Sequence, residues 1–300
     1  MVQYSRKEEV LCLDYWHSKM KINRFLESVN LVIGAFRHKT ASSTVRNLRN
    51  LKGCTIIDQV KLLDAFISVR AARNPMSQIL CVRTKDGNKF FASPSASLGL
   101  PSEPLTHDFF RTVITKEDTF VDVGANVGGF TVPIAKIAGR VISIEPSPTK
   151  EFLRRNIALN DLKNVVIIDK AAFNTATKVR FYYDSNASSL SSLFKRNTSG
   201  NVVEMDVETT TLDEILEDIG KIKAIKVDAE GAEIEVLQGA RRILTKVDFI
   251  VIEVQREHLQ MVRELLAGFT LYSLGESSNL LAVNNRLNEP RRKYWRIRRS

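Results

Sequence analysis

From residue 118 onward the spacing of hydrophobic positions alternates between two periods. Short, nearly continuous apolar runs, "TFVDVG", "RVISIEP", "NVVIID", "AIKVDAEG" and "DFIVIEV", predict strands buried on both faces. Between them, "GFTVPIAKIAG", "TKEFLRRNIALN", "TLDEILEDIG", "AEIEVLQGARRIL" and "LQMVRELLAG" repeat apolar residues at helical spacing. The last two runs, "FTLYSLG" and "SNLLAVN", are joined by a short loop at Glu276-Ser277 and predict an antiparallel hairpin. Upstream, residues 1–75 carry two helix-period segments, and "QILCVRTKDGNKFFASP" alternates on both sides of Asp86-Gly87, a hairpin signature. "SLGLPSEP" places a boundary near residue 100.

Strand and helix in alternation predict an α/β domain with a mainly parallel sheet covered by helices on both faces. Seven strands ending in a hairpin resemble the Rossmann-like sheet of class I S-adenosylmethionine (SAM) methyltransferases, whereas a nicotinamide-binding domain uses six parallel strands. The organisation expected is an accessory helical segment with a hairpin over 1–100, a catalytic domain over 101–285 and a tail over 286–300. An insertion over about 170–210 holds two more strand-like runs, "KVRFYYD" and "NVVEMDVETT". It is placed to cover the carboxyl edge of the sheet, where open α/β sheets bind ligands.

Charge sharpens this picture only at the end of the chain. The formal charge is +10, and residues 286–300, with seven basic residues against one acid, contribute +6 of it. The body is therefore only mildly basic, which weakens an argument from charge to nucleic-acid binding. In "RRKYWRIRRS" the aromatic residues among arginines suit a weak contact with an anionic membrane surface as well as a solvated tail. Cys12, Cys54 and Cys81 form no CxxC pair, which argues against a disulfide framework or a zinc site. The first residues lack the apolar core of a signal peptide, and the expected location is cytoplasmic, with peripheral membrane contact through the tail.

The candidate chemistry sits at the strand ends. In "FVDVGANVGGF", Gly124, Asn126 and Gly128 predict a sharp turn after a strand, with backbone N–H groups turned toward a ligand carboxylate. Asp122 just ahead of them suits a cationic ligand group, and SAM carries an ammonium and a carboxylate on one carbon. A glycine turn that merely joins strand to helix is the plainer alternative. Glu145 ends the second strand, where a carboxylate can accept both hydroxyls of a ribose. Asp169 ends the third and is assigned to an adenine amino group.

In "IKVDAEGAE", Asp228, Glu230 and Glu233 crowd the end of the fourth strand, and they would repel unless something positive or protonated shares the site. Helix capping explains part of that crowding. Otherwise Asp228 or Glu230 orients or deprotonates an acceptor hydroxyl, or holds a divalent ion across two sugar oxygens. His107 and His258 are alternative bases. No metal-ligand spacing is read in the sequence.

"VDVGANVGGFT", "ISIEPSP", "TTTLDEIL" and "IKVDAEGAEIEVLQGA", in this order over about residues 118 to 255, resemble the FkbM-type methyltransferases. The resemblance implies SAM-dependent O-methylation of a hydroxyl on a sugar, glycan, lipid-linked sugar or small natural product. It implies that Asp122, Gly124, Asn126, Gly128 and Glu145 hold SAM and that Asp228 and Glu230 line the donor and acceptor site. "VGGFTVPIAK" and "NIALNDLKNV" are also similar to tRNA guanine methyltransferases, but base N-methyltransferases place motifs such as NPP where this chain has DAEG. An RNA methyltransferase is thus the second expectation, and a non-catalytic SAM-binding module the third.

Overall fold

The computed structural model describes residues 80–84, 86–92, 103–184, 192–193, 202–275, 278–287 and 298–299. The helices expected within residues 1–75 and the aromatic part of the tail lie outside them. Strands β1 (Leu80–Arg83) and β2 (Lys89–Ala92) form the expected hairpin. Gly87 has φ +80° and donates its N–H to the Thr84 carbonyl. Helix α1 (Pro104–Val113), which the sequence pattern did not announce, opens on Pro104 and buries Phe109, Phe110 and Val113.

The main domain then runs through β3 (Thr119–Val123), α2 (Thr131–Ala135), β4 (Arg140–Ile144), α3 (Lys150–Leu159) and β5 (Val165–Ile168). The insertion supplies β6 (Ala171–Ala172), β7 (Lys178–Asp184) and β8 (Val202–Thr210), a separate three-stranded sheet in the order β6-β8-β7. After it come α4 (Leu212–Ile215), β9 (Ile222–Val227), α5 (Glu233–Gln238), β10 (Val247–Glu253), α6 (Leu259–Leu265), β11 (Phe269–Ser273), β12 (Asn279–Asn284) and β13 (Arg298–Arg299).

The main sheet has the order β13-β11-β12-β10-β9-β3-β4-β5. The strands β5, β4, β3, β9 and β10 are parallel, and β12 runs antiparallel to both β10 and β11. This is the class I methyltransferase arrangement expected from the strand count, with the two-residue β13 added at the edge. The strand order reverses between β3 and β9, and at such a switch point open α/β sheets bind ligands at the carboxyl ends of the strands.

Period two divides the core. Val121, Ile142, Ile225, Ile250 and Ile252 face one cluster with Leu212 and Leu216 around α4, Val236 and Leu237 of α5, and Val262 of α6. Phe120, Ala224, Phe249 and Val251 face the other, with Phe109 and Phe110 of α1 and Ile134 of α2. Helices cover both faces, as expected.

Two expected helices are shorter than their patterns. The run "AEIEVLQGARRIL" is helical only as far as Gln238, because Gly239 lies against the insertion: a Cβ there would stand 2.0 Å from the Phe173 carbonyl oxygen. Helix α2 spans five residues of "GFTVPIAKIAG", with Pro133 as its third. The hairpin β1–β2 docks on α3 through two side chains. Asn156 accepts the Phe91 N–H at 2.6 Å, and Asn160 both accepts the Lys89 N–H and donates to the Lys89 carbonyl.

Candidate active site

Register places a polar row across three buried strands. Ser143, Asp122 and Lys226 are Cα partners on β4, β3 and β9, on the face of the sheet that carries Phe120 and Ala224. All three are buried. Asp122 accepts the Thr131 hydroxyl at 2.6 Å, and Thr131 and Ser143 share a further hydrogen bond of 2.7 Å. Burial pushes the Asp122 carboxyl up, against the pull of Lys226 and Thr131.

Lys226 supplies the positive charge that the crowded acids required. Its Nζ is 2.8 Å from Asp228 Oδ2 and 4.7 Å from the Phe130 ring centroid. Burial alone would lower the ammonium, but Asp228, Glu103 and Asp122 hold it above the ordinary lysine range. Glu103, just before α1, is pushed up by burial and opposed by Lys226, and it accepts Asn279 Nδ2 at 2.6 Å. Neither Lys226 nor Glu103 was singled out from the sequence. The available signal was a lysine inside "IKV", a run predicted to be buried on both faces, where an ammonium needs carboxylate partners.

The turn after β3 differs from expectation in one respect. The N–H groups of Gly124 and Ala125 both bond the Ile144 carbonyl, that of Asn126 bonds Glu145 Oε2, and that of Gly128 bonds the Ala125 carbonyl. Those four donors serve the protein and are not held open for a ligand carboxylate. The glycines make way for protein as well: Cβ atoms would stand 1.9 Å from the Asp228 carbonyl oxygen at Gly124 and 2.8 Å from Leu153 Cδ1 at Gly128. Both have positive φ, as does Asn126 at +50°. The missing side chains at Gly124 and Gly128 are thus taken up by packing within the protein, and the same geometry brings the Asp228 loop directly against the turn.

Glu145, at the end of β4, is buried and uses one oxygen for each of two N–H groups, Asn126 at 2.7 Å and Ser147 at 2.8 Å. Burial pushes its carboxyl up, and the bonds from Ser147 and Asn126 oppose that. Asp169, beyond β5, lies apart from the buried cluster. It is half exposed at the rim of α3 and ion-paired with Lys150 and, at 3.5 Å, with Arg154.

In the loop after β9, the three acids separate in role. Glu233 accepts the N–H groups of Ala229 and Gly231, each at 3.0 Å, so it caps its own loop. Glu230 has φ +51°, and its carbonyl accepts the hydroxyl of Ser192 from the insertion at 2.7 Å. The Asp228 side chain is 24% exposed; Lys226 holds Oδ2, and among the described residues Oδ1 has no hydrogen-bond partner.

His107 on α1 is buried, stacked on Phe130 at 4.1 Å, with no hydrogen bond to either ring nitrogen. Burial first, then Arg111, pushes it down to about 3, so its imidazole is neutral. His258, in the turn between β10 and α6, shares no hydrogen bond or ion pair with the cluster. Among the described residues no three His, Cys, Asp or Glu side chains gather to hold a metal ion, and no helix is long and apolar enough to cross a membrane.

Comparison with known proteins follows the same stretch of chain. The sequence is 27% identical over 179 residues to Methyltransferase sdnD of Sordaria araneosa, covering 49% of this chain and 64% of that protein. It is 28% identical over 142 residues to Hexuronic acid methyltransferase AglP of Haloferax volcanii, covering 46% of this chain and 56% of that protein. Less than two thirds of either relative is matched. A crystal structure of Methyltransferase FkbM from Methylobacillus flagellatus KT superposes with a TM-score of 0.40 at 15% identity, over 80% of this chain and 59% of that one. The assignment rests on the family profile, which matches from Asp122 to Leu274 and so takes in the glycine turn, Glu145 and the Asp228 loop: the chain belongs to the family of the methyltransferase FkbM domain.

Proposed function

We propose that this chain is a SAM-dependent methyltransferase that O-methylates a hydroxyl on a sugar, a glycan or a small natural product. The observation that carries the reading is Asp228. It stands at the carboxyl end of β9, against the glycine turn of β3, with one carboxylate oxygen fixed by Lys226 and the other without a hydrogen-bond partner among the described residues.

The residues present fit SAM by their charge. Glu103, Asp122 and Asp228 all act on one ammonium, Lys226, and three acids to one base suit a cationic ligand. Asp122 and the turn 124–128 would lie under the donor's amino-acid part. Glu145, its inner lone pairs taken by Asn126 and Ser147, would offer the outer ones to ribose hydroxyls. Asp169 would face the adenine from the rim. SAM supplies a methyl group already activated toward an oxygen nucleophile.

The chain's own work is then alignment and the movement of one proton. Asp228 Oδ1 would accept the proton of the acceptor hydroxyl, whose oxygen takes the methyl group as the methyl–sulfur bond breaks and leaves a neutral thioether, while Oδ2 would remain on Lys226. Glu230, held by Ser192 in a left-handed turn, lines the acceptor side and links it to the insertion. A relative named for hexuronic acid supports a sugar acid as acceptor. A lipid-linked sugar, presented to the basic tail at an anionic membrane surface, is the corresponding extended acceptor. Incubation with methyl-labelled SAM and separated glycan, lipid, small-molecule and RNA fractions tests the reading. Label is expected in a hydroxyl-bearing, non-RNA fraction, and label confined to RNA would overturn it.

A further inference from the structure

Proton acceptance by Asp228 does not by itself require a buried ammonium beside it, yet Lys226 is one. Its side chain is 5% exposed, in a strand buried on both faces. Removing an ammonium from water costs several kcal/mol even after relaxation, and a well-packed apolar residue often serves stability as well or better. Stability alone therefore gives no reason for a lysine here.

The surroundings of its ammonium come from four elements. Asp122 stands beside it on β3, Asp228 follows it just past β9, Glu103 before α1 acts on it by its charge, and the Phe130 ring lies under it ahead of α2. The further ionisable groups that face this cluster among the described residues are His107, neutral on α1 and stacked on Phe130, Glu253 at the end of β10, which acts on Glu103, and Glu233 of α5, which Asp228 acts on. Among the described residues its direct contact runs to Asp228 Oδ2, and Oδ1 has no hydrogen-bond partner. A carboxylate on a loop has two torsions to fix, and an ion pair of 2.8 Å to a buried cation restrains them.

We propose that Lys226 is a positioning residue for the proposed methyl transfer: set beside Asp122 in the sheet and in the field of Glu103, it holds Oδ2 of Asp228 so that Oδ1 is left for the acceptor hydroxyl. The inference rests on the reading of Asp228 as proton acceptor and adds the device that aims it. It also gives the segment ahead of the family match a part in the site, because Glu103 lies outside residues 122–274.

The test reads the clamp itself, on the full chain without cofactor or acceptor. In protein labelled with 13C at lysine Cε, the Lys226 resonance is expected to stay unchanged to about pH 11, past the ordinary lysine midpoint of about 10.4. In Asp228→Asn and in Glu103→Gln its midpoint is expected to fall by about one pH unit or more, since each removes one clamping charge. A Lys226 midpoint in the ordinary range in the wild type, or one unmoved by both substitutions, overturns the proposal. Crystal structures of Lys226→Arg and Lys226→Met give the second readout: the Asp228 carboxylate should keep its direction in the first and turn away in the second. If Lys226→Met does not fold, the titration of the two acid variants decides. Calorimetry with SAM on the wild type separates the two levels. Absence of SAM binding sinks the methyltransferase reading, whereas SAM binding without coupling between Lys226 and Asp228 sinks only the clamp.

Discussion

The backbone carbonyl oxygen of Asp228 lies 1.9 Å from where a Cβ on Gly124 would stand. The turn that follows β3 and the loop that follows β9 are thus in contact through bare backbone, and no side chain fits between them. Gly124→Ala must displace backbone and also adopt φ +78°. Gly128→Ala meets only the ends of Leu153 and Val132. Thermal denaturation should show Gly124→Ala losing about 3 kcal/mol or more and Gly128→Ala about 1–2 kcal/mol. Equal losses would mean that the close approach is not the constraint.

Asp122→Ala removes a buried carboxylate that faces both Lys226 and Thr131. If Asp122 also answers the donor's positive charge, SAM affinity should fall about ten- to a hundredfold, the worth of a desolvated charge-assisted bond of about 1.5–3 kcal/mol. Calorimetric titration of the folded variant measures this. Unchanged affinity would remove Asp122 from the donor site and leave it a partner of Lys226 only.

His107 gives the fold a pH dependence whose sign follows from its burial. Its imidazole is pushed down from 6.5 to about 3, so below pH 6.5 the unfolded chain binds a proton that the folded chain refuses. Its stabilising effect is complete above that range and is lost progressively as pH falls toward 3, to a limit of about 5 kcal/mol. His107→Phe keeps a ring against Phe130 and removes two nitrogens that have no partner. Urea denaturation between pH 4 and pH 7, at about half-unit steps, should show a flatter stability curve for His107→Phe, with no loss at pH 7.

The basic tail divides at Leu287. Arg286 is folded onto the body, with Nη2 2.9 Å from Asp248 Oδ1, a buried acid that also faces Lys221 and Lys223 at 3.3 Å each. Deleting residues 288–300 should therefore leave thermal stability within about 1 kcal/mol and SAM binding intact, apart from the loss of the two-residue pairing of β13 with β11. Cosedimentation with anionic liposomes at low salt should fall, since each basic residue near such a surface is worth about 1 kcal/mol at most. Equal liposome binding by the full-length and shortened chains would refute membrane contact through the tail.

Much of this architecture was legible in the sequence because buried parallel strands write themselves as short apolar runs. The runs at Thr119–Val123, Arg140–Ile144 and Val247–Glu253 match their strands closely. Helix α1 was missed because "PLTHDFFRTV" offers few apolar positions beyond its phenylalanines, and its burial depends on the aromatic cluster with Phe120 and Phe249. Within the site, the acids were read from their strand-end positions. What they do to one another was not, because the pairing of Asp122 with Lys226 is a matter of register between two strands a hundred residues apart. The glycines carried the opposite ambiguity: their spacing announced a close approach, and the partner proved to be the Asp228 loop and Leu153.

The central claim is that Asp228 acts in transfer and not in holding the donor, and it is tested most directly by measuring turnover and SAM affinity together for Asp228→Asn. With an acceptor fraction that the wild type labels, turnover should fall about 100-fold or more while the SAM dissociation constant stays within about threefold. Glu230→Gln, measured alongside, should lose less, because the structure holds Glu230 through its backbone carbonyl, whereas Asp228 Oδ1 has no hydrogen-bond partner among the described residues. Wild-type turnover in Asp228→Asn, with SAM bound normally, would contradict the account and return Asp228 to the role of a structural partner for Lys226.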